Sequence, residues 1–193
     1  VGGKPIIEYI INKIDEIEEV DKIFIVTNHK FKEHFDKWVD SYNAKKEIKI
    51  LDDATLSNED RLGAVGDIHF TVKKGNIDDD VFIIAGDNLF EFDLFKLVDK
   101  SEDHLASVIG LYDMKHTDLV AGKCGVVGID FYGKIAEFEE KPAEPKSTLI
   151  ATACYFLVKK DLEELEKCIS ENEKPDNMGE FIKYLSGKKD VMG

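Results

Sequence analysis

A short apolar run that ends in Gly-Asp-Asn constrains the fold of this chain more than any other feature. Val81 to Ala85 are five consecutive apolar residues, and Gly86, Asp87 and Asn88 follow them. A continuous apolar run of this length is typical of a strand covered on both faces of an α/β sheet. Ligands bind outside the carboxyl ends of such strands. We therefore expect a central strand here, with Asp87 at a ligand site.

The segments on either side of this run alternate between helical and extended patterns. Apolar residues at helical spacing predict helices over 5–20, 32–42, the later part of 57–74, 94–101, 161–171 (with Asp161 as its cap) and 179–185. Apolar and β-branched runs predict strands over 22–27, 47–51, 106–112, 125–130, 135–138 and 152–158. This order predicts a three-layer α/β/α sandwich with a mostly parallel central sheet and a later antiparallel addition.

Composition restricts the classes of function. The chain has 193 residues, 43% of them hydrophobic, which fits one domain with a sizeable core. Its 40 acidic and 26 basic residues give a net charge of −14, which argues against nucleic-acid or anionic-membrane partners. The three cysteines show no CxxC spacing and favour a reduced, cytoplasmic setting over a disulfide framework.

Asp87 has two interpretations. It could cap a turn or the next helix, or it could bind Mg²⁺, which takes one or two carboxylates together with substrate phosphates. The acidic run Asp78–Asp80 precedes the strand, so we expect it at the opposite end of the sheet as a solvated turn. Asp52 and Asp53 also follow a predicted strand, where a turn role is the simpler interpretation.

Two further motifs contain candidate binding residues. Glu139-Glu140-Lys141-Pro142 could be a solvated turn, or the strand before it could deliver Lys141 to a phosphate and Glu140 to sugar hydroxyls. Arg61-Leu-Gly-Ala-Val-Gly66 could supply loop and helix-packing glycines, or Gly63 could let a planar base approach the backbone. No zinc-binding histidine spacing, GxSxG elbow or GxxxxGK[ST] loop is present.

Taken in order, these motifs resemble the sugar-phosphate nucleotidyltransferases, the group of glucose-1-phosphate thymidylyltransferases and uridylyltransferases. The similarity extends from Gly2-Gly3-Lys4-Pro5 to the end of the chain. It includes Arg61–Gly66, Ala85–Asn88, Gly125-Val-Val127, Glu139–Pro142 with Glu144-Pro-Lys-Ser147, and Thr152–Phe156. Each motif is weak alone, and their shared order and spacing make the resemblance specific.

The resemblance implies a fold and a role for each matching residue. The fold would be the nucleotide-diphospho-sugar transferase (GT-A-like) type, and a sugar-1-phosphate would attack a nucleoside triphosphate to give a nucleotide-sugar and pyrophosphate. Asp87 would bind the catalytic Mg²⁺ and Lys141 the sugar phosphate. The implied substrate-binding residues are Gly63, Ala64, Asn88, Gly125, Glu140 and Thr152.

The chain also departs from the family pattern. The family's Gly-rich, Arg-containing loop would precede Val1, and its second metal-binding Asp would follow Gly193. We therefore expect residues 1–193 to be one catalytic domain truncated at both ends and inactive alone.

Ala153 stands where thymidylyltransferases commonly have Gly. The alternatives are a non-catalytic regulatory or assembly subunit and a nucleotide-sugar-dependent glycosyltransferase, and homo-oligomer formation stays open.

Overall fold

The computed structural model describes residues 2–172 and 175–193. The helices found within these residues are α1 Ile6–Ile14, α2 His29–Ser41, α3 Gly63–Gly75, α4 Phe95–His104, α5 Lys159–Glu171 and α6 Met178–Ser186, with a 3₁₀ turn at Thr117–Leu119. The strands are β1 Lys22–Thr27, β2 Glu47–Asp52, β3 Val81–Ile84, β4 Ser107–Asp113, β5 Gly125–Ile129, β6 Ile135–Glu140, β7 Leu149–Leu157 and β8 Val191–Met192.

The described strands form two sheets. β1 and β2 pair in parallel as one two-stranded sheet. The other six form a mixed sheet in the order β6-β5-β7-β4-β8, with β3 also paired to β7. Because β7 is antiparallel to β3, β4 and β5, and β8 is parallel to β4, those four strands share one direction, and β6 and β7 oppose it. Most strands thus run the same way, although most of the direct pairings in the larger sheet are antiparallel.

β7 separates two apolar cores. Tyr155 and Leu157 belong to the core formed with α3, α5 and α6, and Cys154 and Phe156 belong to the core formed with α1 and α4. This alternation follows from the period of two residues in a strand, which sends successive side chains to opposite faces. Helices therefore cover both faces of the sheet, and the predicted three-layer α/β class is confirmed.

The expectation that the Asp87 strand is central was wrong, although both of its faces are covered. Val81 and Ile83 pack against one core, and Phe82 and Ile84 against the other. β3 pairs only with β7 among the described residues, and all four of its residues are half-buried. The physical reason is that no described strand lies along its other edge, since β1 pairs with β2 instead. The apolar run of β3 indicated a strand correctly, but apolar composition alone does not specify which neighbours a strand has.

Three other local predictions also need correction. α1 ends at Ile14 rather than near residue 20, and a turn follows in which the Ile17 N–H donates to the Ile14 carbonyl. β8 lies after the last predicted helix, in a segment for which the sequence analysis predicts no strand. Asp161 does not cap α5, because Val158 is the N-cap residue. Asp161 is instead buried, where it accepts a hydrogen bond from Ser107 Oγ at 2.6 Å and pairs with Lys189 Nζ at 2.9 Å.

We predict that Asp161→Ala lowers the free energy of unfolding by about 2–3 kcal/mol, because it leaves a buried hydroxyl and an ammonium group without their charged partner. Urea unfolding monitored by circular dichroism measures this difference. Glu163→Ala, which changes an exposed carboxylate on the same helix, should stay within about 0.5 kcal/mol of wild type. Equal effects of the two substitutions would contradict a structural role for Asp161.

Candidate active site

The candidate site begins where β3 ends against β7. Ile84 is the last residue of β3 and lies opposite Cys154. Beyond it, the Ala85 N–H donates to the Ala153 carbonyl at 3.1 Å. The side-chain amide of Asn88 donates a further hydrogen bond to the Thr152 carbonyl. These two contacts hold the turn that contains Asp87 against the middle of β7.

β5 begins on the same side of β7, just beyond the end of β3. Val126 lies opposite Ile150, and its neighbour Gly125 pairs across the hairpin with Glu140. The register of β7 therefore places the end of β3 and the start of β5 next to each other, separated by Thr152 and Ala153. At this place, which we call the β3–β5 junction, the turn containing Asp87 and Asn88 lies beside Thr152, next to the start of β5 with Gly125 and its partner Glu140.

A backbone irregularity occurs in β7 at the same junction. Ala153 has φ of 55°, and the pairing of β4 with β7 shifts register between Ile109 and Leu111. Left-handed backbone costs a non-glycine residue roughly 1–2 kcal/mol, and such strain is concentrated at functional sites. The Thr152 hydroxyl donates to the Gly110 carbonyl at 2.8 Å, so only its oxygen lone pairs remain for a ligand.

Lys141 follows β6 in a tight, left-handed conformation. Its φ is 47°, and its N–H donates to the Cys124 carbonyl at 3.0 Å. The next residue, Pro142, accepts a hydrogen bond from the Gly122 N–H at 2.8 Å. The Lys141 side chain is 61% exposed, and its Nζ lies 3.8 Å from Glu140 Oε1. The backbone is thus fixed on both sides while the ammonium group stays accessible to an anion.

The Glu140 carboxylate lies between two glycines. A methyl group added at Gly125 would come within 3.2 Å of Glu140 Oε2, and one added at Gly179 within 2.9 Å. The methyl group at Gly179 would also approach Phe138 to 2.5 Å. The first turn of α6 therefore packs directly on Phe138 and Glu140. Sequence reasoning missed Gly179, because a single glycine at the start of a helix gives no signal of the strand that it contacts.

The loop before α3 joins the site through the same helix. Gly63 is buried with φ of 77°, a conformation that only glycine adopts readily. The Ala64 N–H donates to the Asp176 carbonyl at 2.7 Å, two residues before α6. Gly63 and Ala64 are thus connected through the start of α6 to Glu140, although more than seventy residues separate them in the sequence.

Asp87 is the candidate metal ligand, and its surroundings fit that role in part. Its exposed carboxylate makes no hydrogen bond or ion pair with any other described residue, so its oxygens are open to a ligand. Within residues 2–172 and 175–193, no three acidic, histidine or cysteine side chains cluster as a metal site. A single carboxylate fits Mg²⁺, a hard cation that takes its remaining ligands from water and substrate phosphates.

The acidic motifs that the sequence analysis interpreted as turns have structural roles. Asp80 accepts a hydrogen bond from the Lys159 N–H at 2.6 Å, which puts Asp78–Asp80 beside the carboxyl end of β7 and opposite the β3–β5 junction, as predicted. Asp52 accepts from the Ala54 N–H and Asp53 from the Thr55 N–H, each at 2.8 Å, so both form the turns expected of them.

The comparisons with known proteins identify the family. A family model described as Nucleotidyl transferase matches residues 1–193. The chain belongs to this family. The bifunctional protein GlmU of Methanocaldococcus jannaschii is 30% identical over the whole chain, which spans 42% of that relative. The UTP–glucose-1-phosphate uridylyltransferase AglF of Haloferax volcanii is 28% identical over 80% of the chain and 60% of its own length.

A shorter match and a solved structure extend this comparison. The glucose-1-phosphate adenylyltransferase of Ruminiclostridium cellulolyticum is 34% identical over 54% of the chain and 24% of its own length. A crystal structure of UDP-glucose pyrophosphorylase complexed with UDP-glucose superposes with a TM-score of 0.76 at 15% identity, covering 98% of this chain and 78% of that one. The latter likeness supports the nucleotidyltransferase fold.

One prediction from composition can be compared with the structure. Cys124, Cys154 and Cys168 are all free thiols, in agreement with the absence of a disulfide framework. Among the helices in the described part of the chain, none has the length and apolar content that crossing a bilayer requires.

A pair of carboxylates, Asp67 in α3 and Asp53 after β2, gives a pH-dependent prediction. Burial, and after it the neighbouring Asp53 carboxylate, together raise the pKa of Asp67 from 3.8 to about 6. Because the pKa is higher in the folded state, protonated Asp67 stabilises the fold below about pH 4, and this contribution is lost as the pH rises through about 6.

Asp67→Asn removes this group, so the variant should gain about 1–2 kcal/mol of stability relative to wild type between pH 4 and pH 7.5, since solvent partly screens the half-buried carboxylate. Urea unfolding at both pH values measures the change. Asp103→Asn, on the exposed side of α4, should have the free energy of unfolding of the wild type at both pH values. A constant difference for Asp67→Asn across this range would contradict the raised pKa.

Proposed function

We propose that the protein containing this chain transfers a nucleotidyl group from a nucleoside triphosphate to a sugar-1-phosphate. The observation that supports this is the convergence of the Asp87 turn, Glu140 and Lys141 at the β3–β5 junction. A carboxylate open to a metal and an accessible ammonium group are the two charges needed to bring two phosphorylated substrates together. Membership of the nucleotidyl transferase family supports the same reaction class.

In the proposed reaction, an oxygen of the sugar-1-phosphate forms a bond to the α-phosphorus of the triphosphate. The bond from this phosphorus to the β-phosphate bridging oxygen breaks, and pyrophosphate leaves with the electron pair. The attacking oxygen is already anionic at neutral pH, so the step needs no general base. The protein must instead align two mutually repelling anions and offset their charge.

Each residue at the junction contributes to this alignment. Lys141 binds the sugar phosphate as a point charge on a fixed backbone. Glu140 accepts hydrogen bonds from sugar hydroxyls, and Gly125 and Thr152 line the space beside it. Asn88 holds the Asp87 turn against β7 through its bond to the Thr152 carbonyl. Gly63 and Ala64 face the nucleotide base. Mg²⁺ at Asp87 would neutralise phosphate charge.

The names of the relatives suggest where to begin a substrate search. Two of them are named for glucose-1-phosphate, one as an adenylyltransferase and one as a uridylyltransferase. We propose a hexose-1-phosphate as the acceptor. Pyrophosphate release by the full-length protein should be measured with ATP, UTP, CTP, GTP and dTTP against glucose-1-phosphate and related sugar phosphates. No release with any pair would favour a non-catalytic subunit.

The metal ligand can be tested by one substitution. In the full-length protein, Asp87→Asn should lower kcat by about 100-fold or more, because a neutral amide is a poor ligand for a hard cation. It should also raise the Mg²⁺ concentration needed for half-maximal activity. Asp78→Asn removes the same charge at the other end of β3 and should leave both values near wild type. Unchanged metal dependence in Asp87→Asn would remove Asp87 from the site.

The phosphate-binding role of Lys141 predicts a selective defect. Lys141→Ala should reduce kcat/KM for the sugar-1-phosphate by about 100-fold, since it removes the positive charge nearest the acceptor. Lys146 is the matched control, because it follows the same motif but pairs with Glu137 and Glu139 at 3.6 and 3.5 Å. Lys146→Ala should change kcat/KM less than about threefold. Comparable losses in both variants would contradict the assignment.

A further inference from the structure

One residue outside the sequence motifs contacts the base-facing loop in three separate ways. Residues 61–64, which we call the base loop, lie directly before α3. The Asp176 carboxylate pairs with the Arg61 guanidinium, and the Asp176 carbonyl accepts the Ala64 N–H at 2.7 Å. A methyl group added at Gly63 would lie 3.0 Å from the Asp176 Cα. Side chain, carbonyl and Cα of a single residue thus define the position of this loop.

Asp176 is itself attached to the start of α6. Its N–H donates to Glu180 Oε2 at 2.6 Å. Asn177 caps the helix, and Asn177 and Glu180 form a reciprocal capping box that fixes the first turn. Gly179 in that turn packs on Phe138 and Glu140. A short, well-capped helix start therefore touches the base loop on one side and Glu140 on the other.

We propose that Asp176 is a positioning residue that sets the base loop at a fixed distance from Glu140, and so determines how the nucleotide binds. This inference rests on the proposed function, in which the base loop faces the nucleotide and Glu140 the sugar. Asp176 acts through Arg61 and Ala64 and touches no substrate itself. Its effect should therefore fall on nucleotide binding rather than on the chemical step.

The Arg61–Asp176 pair is exposed, with 56% and 51% of the two side chains accessible, so it adds little to global stability. A substitution there should leave the fold intact and release only the loop. This separates a positioning role from a general structural one, since a structural defect would lower kcat and stability together.

The test is a double-mutant cycle in the full-length protein. Asp176→Ala should raise KM for the nucleoside triphosphate about tenfold while kcat and KM for the sugar-1-phosphate change less than about threefold. Arg61→Ala should have a similar effect, and the double variant should be no worse than either single variant. If Arg61 instead binds the nucleotide directly, the increase in KM caused by Arg61→Ala will add to the increase caused by Asp176→Ala. Such additive effects would overturn the proposal.

A second measurement does not depend on activity. Hydrogen–deuterium exchange of the amides in residues 61–66, without substrate, should be faster in Asp176→Ala than in wild type. Glu166→Ala is the matched control, because it breaks an ion pair made by α3, Lys73–Glu166 at 2.8 Å, away from the base loop. Exchange equal in Asp176→Ala and Glu166→Ala would refute the positioning role. Absence of turnover in wild type would instead refute the proposed function, whatever the exchange shows.

Discussion

The pairing of β7 with three other strands is the constraint on which the rest of the structure depends. β3 and β5 lie along one side of it and β4 along the other. Because β7 alternates its side chains between the two cores, a shift of one residue would exchange Cys154 and Phe156 with Tyr155 and Leu157. The hydrophobic effect therefore fixes the register, and the register places the β3–β5 junction.

The strained conformation of Ala153 follows from the same arrangement. β3 ends and β5 begins beside it, so β7 changes its partner within a few residues. A left-handed residue allows the strand to make that change, and its carbonyl then accepts the Ala85 N–H. Glycine would adopt this conformation more easily, in keeping with the glycine that the thymidylyltransferases named in the sequence analysis commonly have at this position. The strain in Ala153 is thus a local cost of forming the site.

Sequence reasoning could predict the parts of the site that repeat a local pattern. Apolar runs indicated the strands, and the polar residues after them, Asp87 and Glu140 with Lys141, gave the candidate ligands. The pairing of β3 could not be predicted, because periodicity says which face of a strand is buried and nothing about its neighbours. Asp176 and Gly179 were missed for a similar reason: their roles come from contacts with residues far away in sequence, such as Arg61 and Phe138.

The acidic character of the chain is compatible with the proposed anionic substrates because one cation at the candidate site, Lys141, is held loosely. Lys141 lies 3.8 Å from Glu140 Oε1 and is mostly exposed, so solvent weakens that attraction and a phosphate can compete for the ammonium group. In the proposed function, this exchange frees Glu140 to accept hydrogen bonds from the sugar. In a tight, buried ion pair, Lys141 and Glu140 would stay bound to each other and a phosphate could not displace the carboxylate. The weak ion pair at the β3–β5 junction is therefore better suited to binding a phosphorylated sugar than a strong one would be.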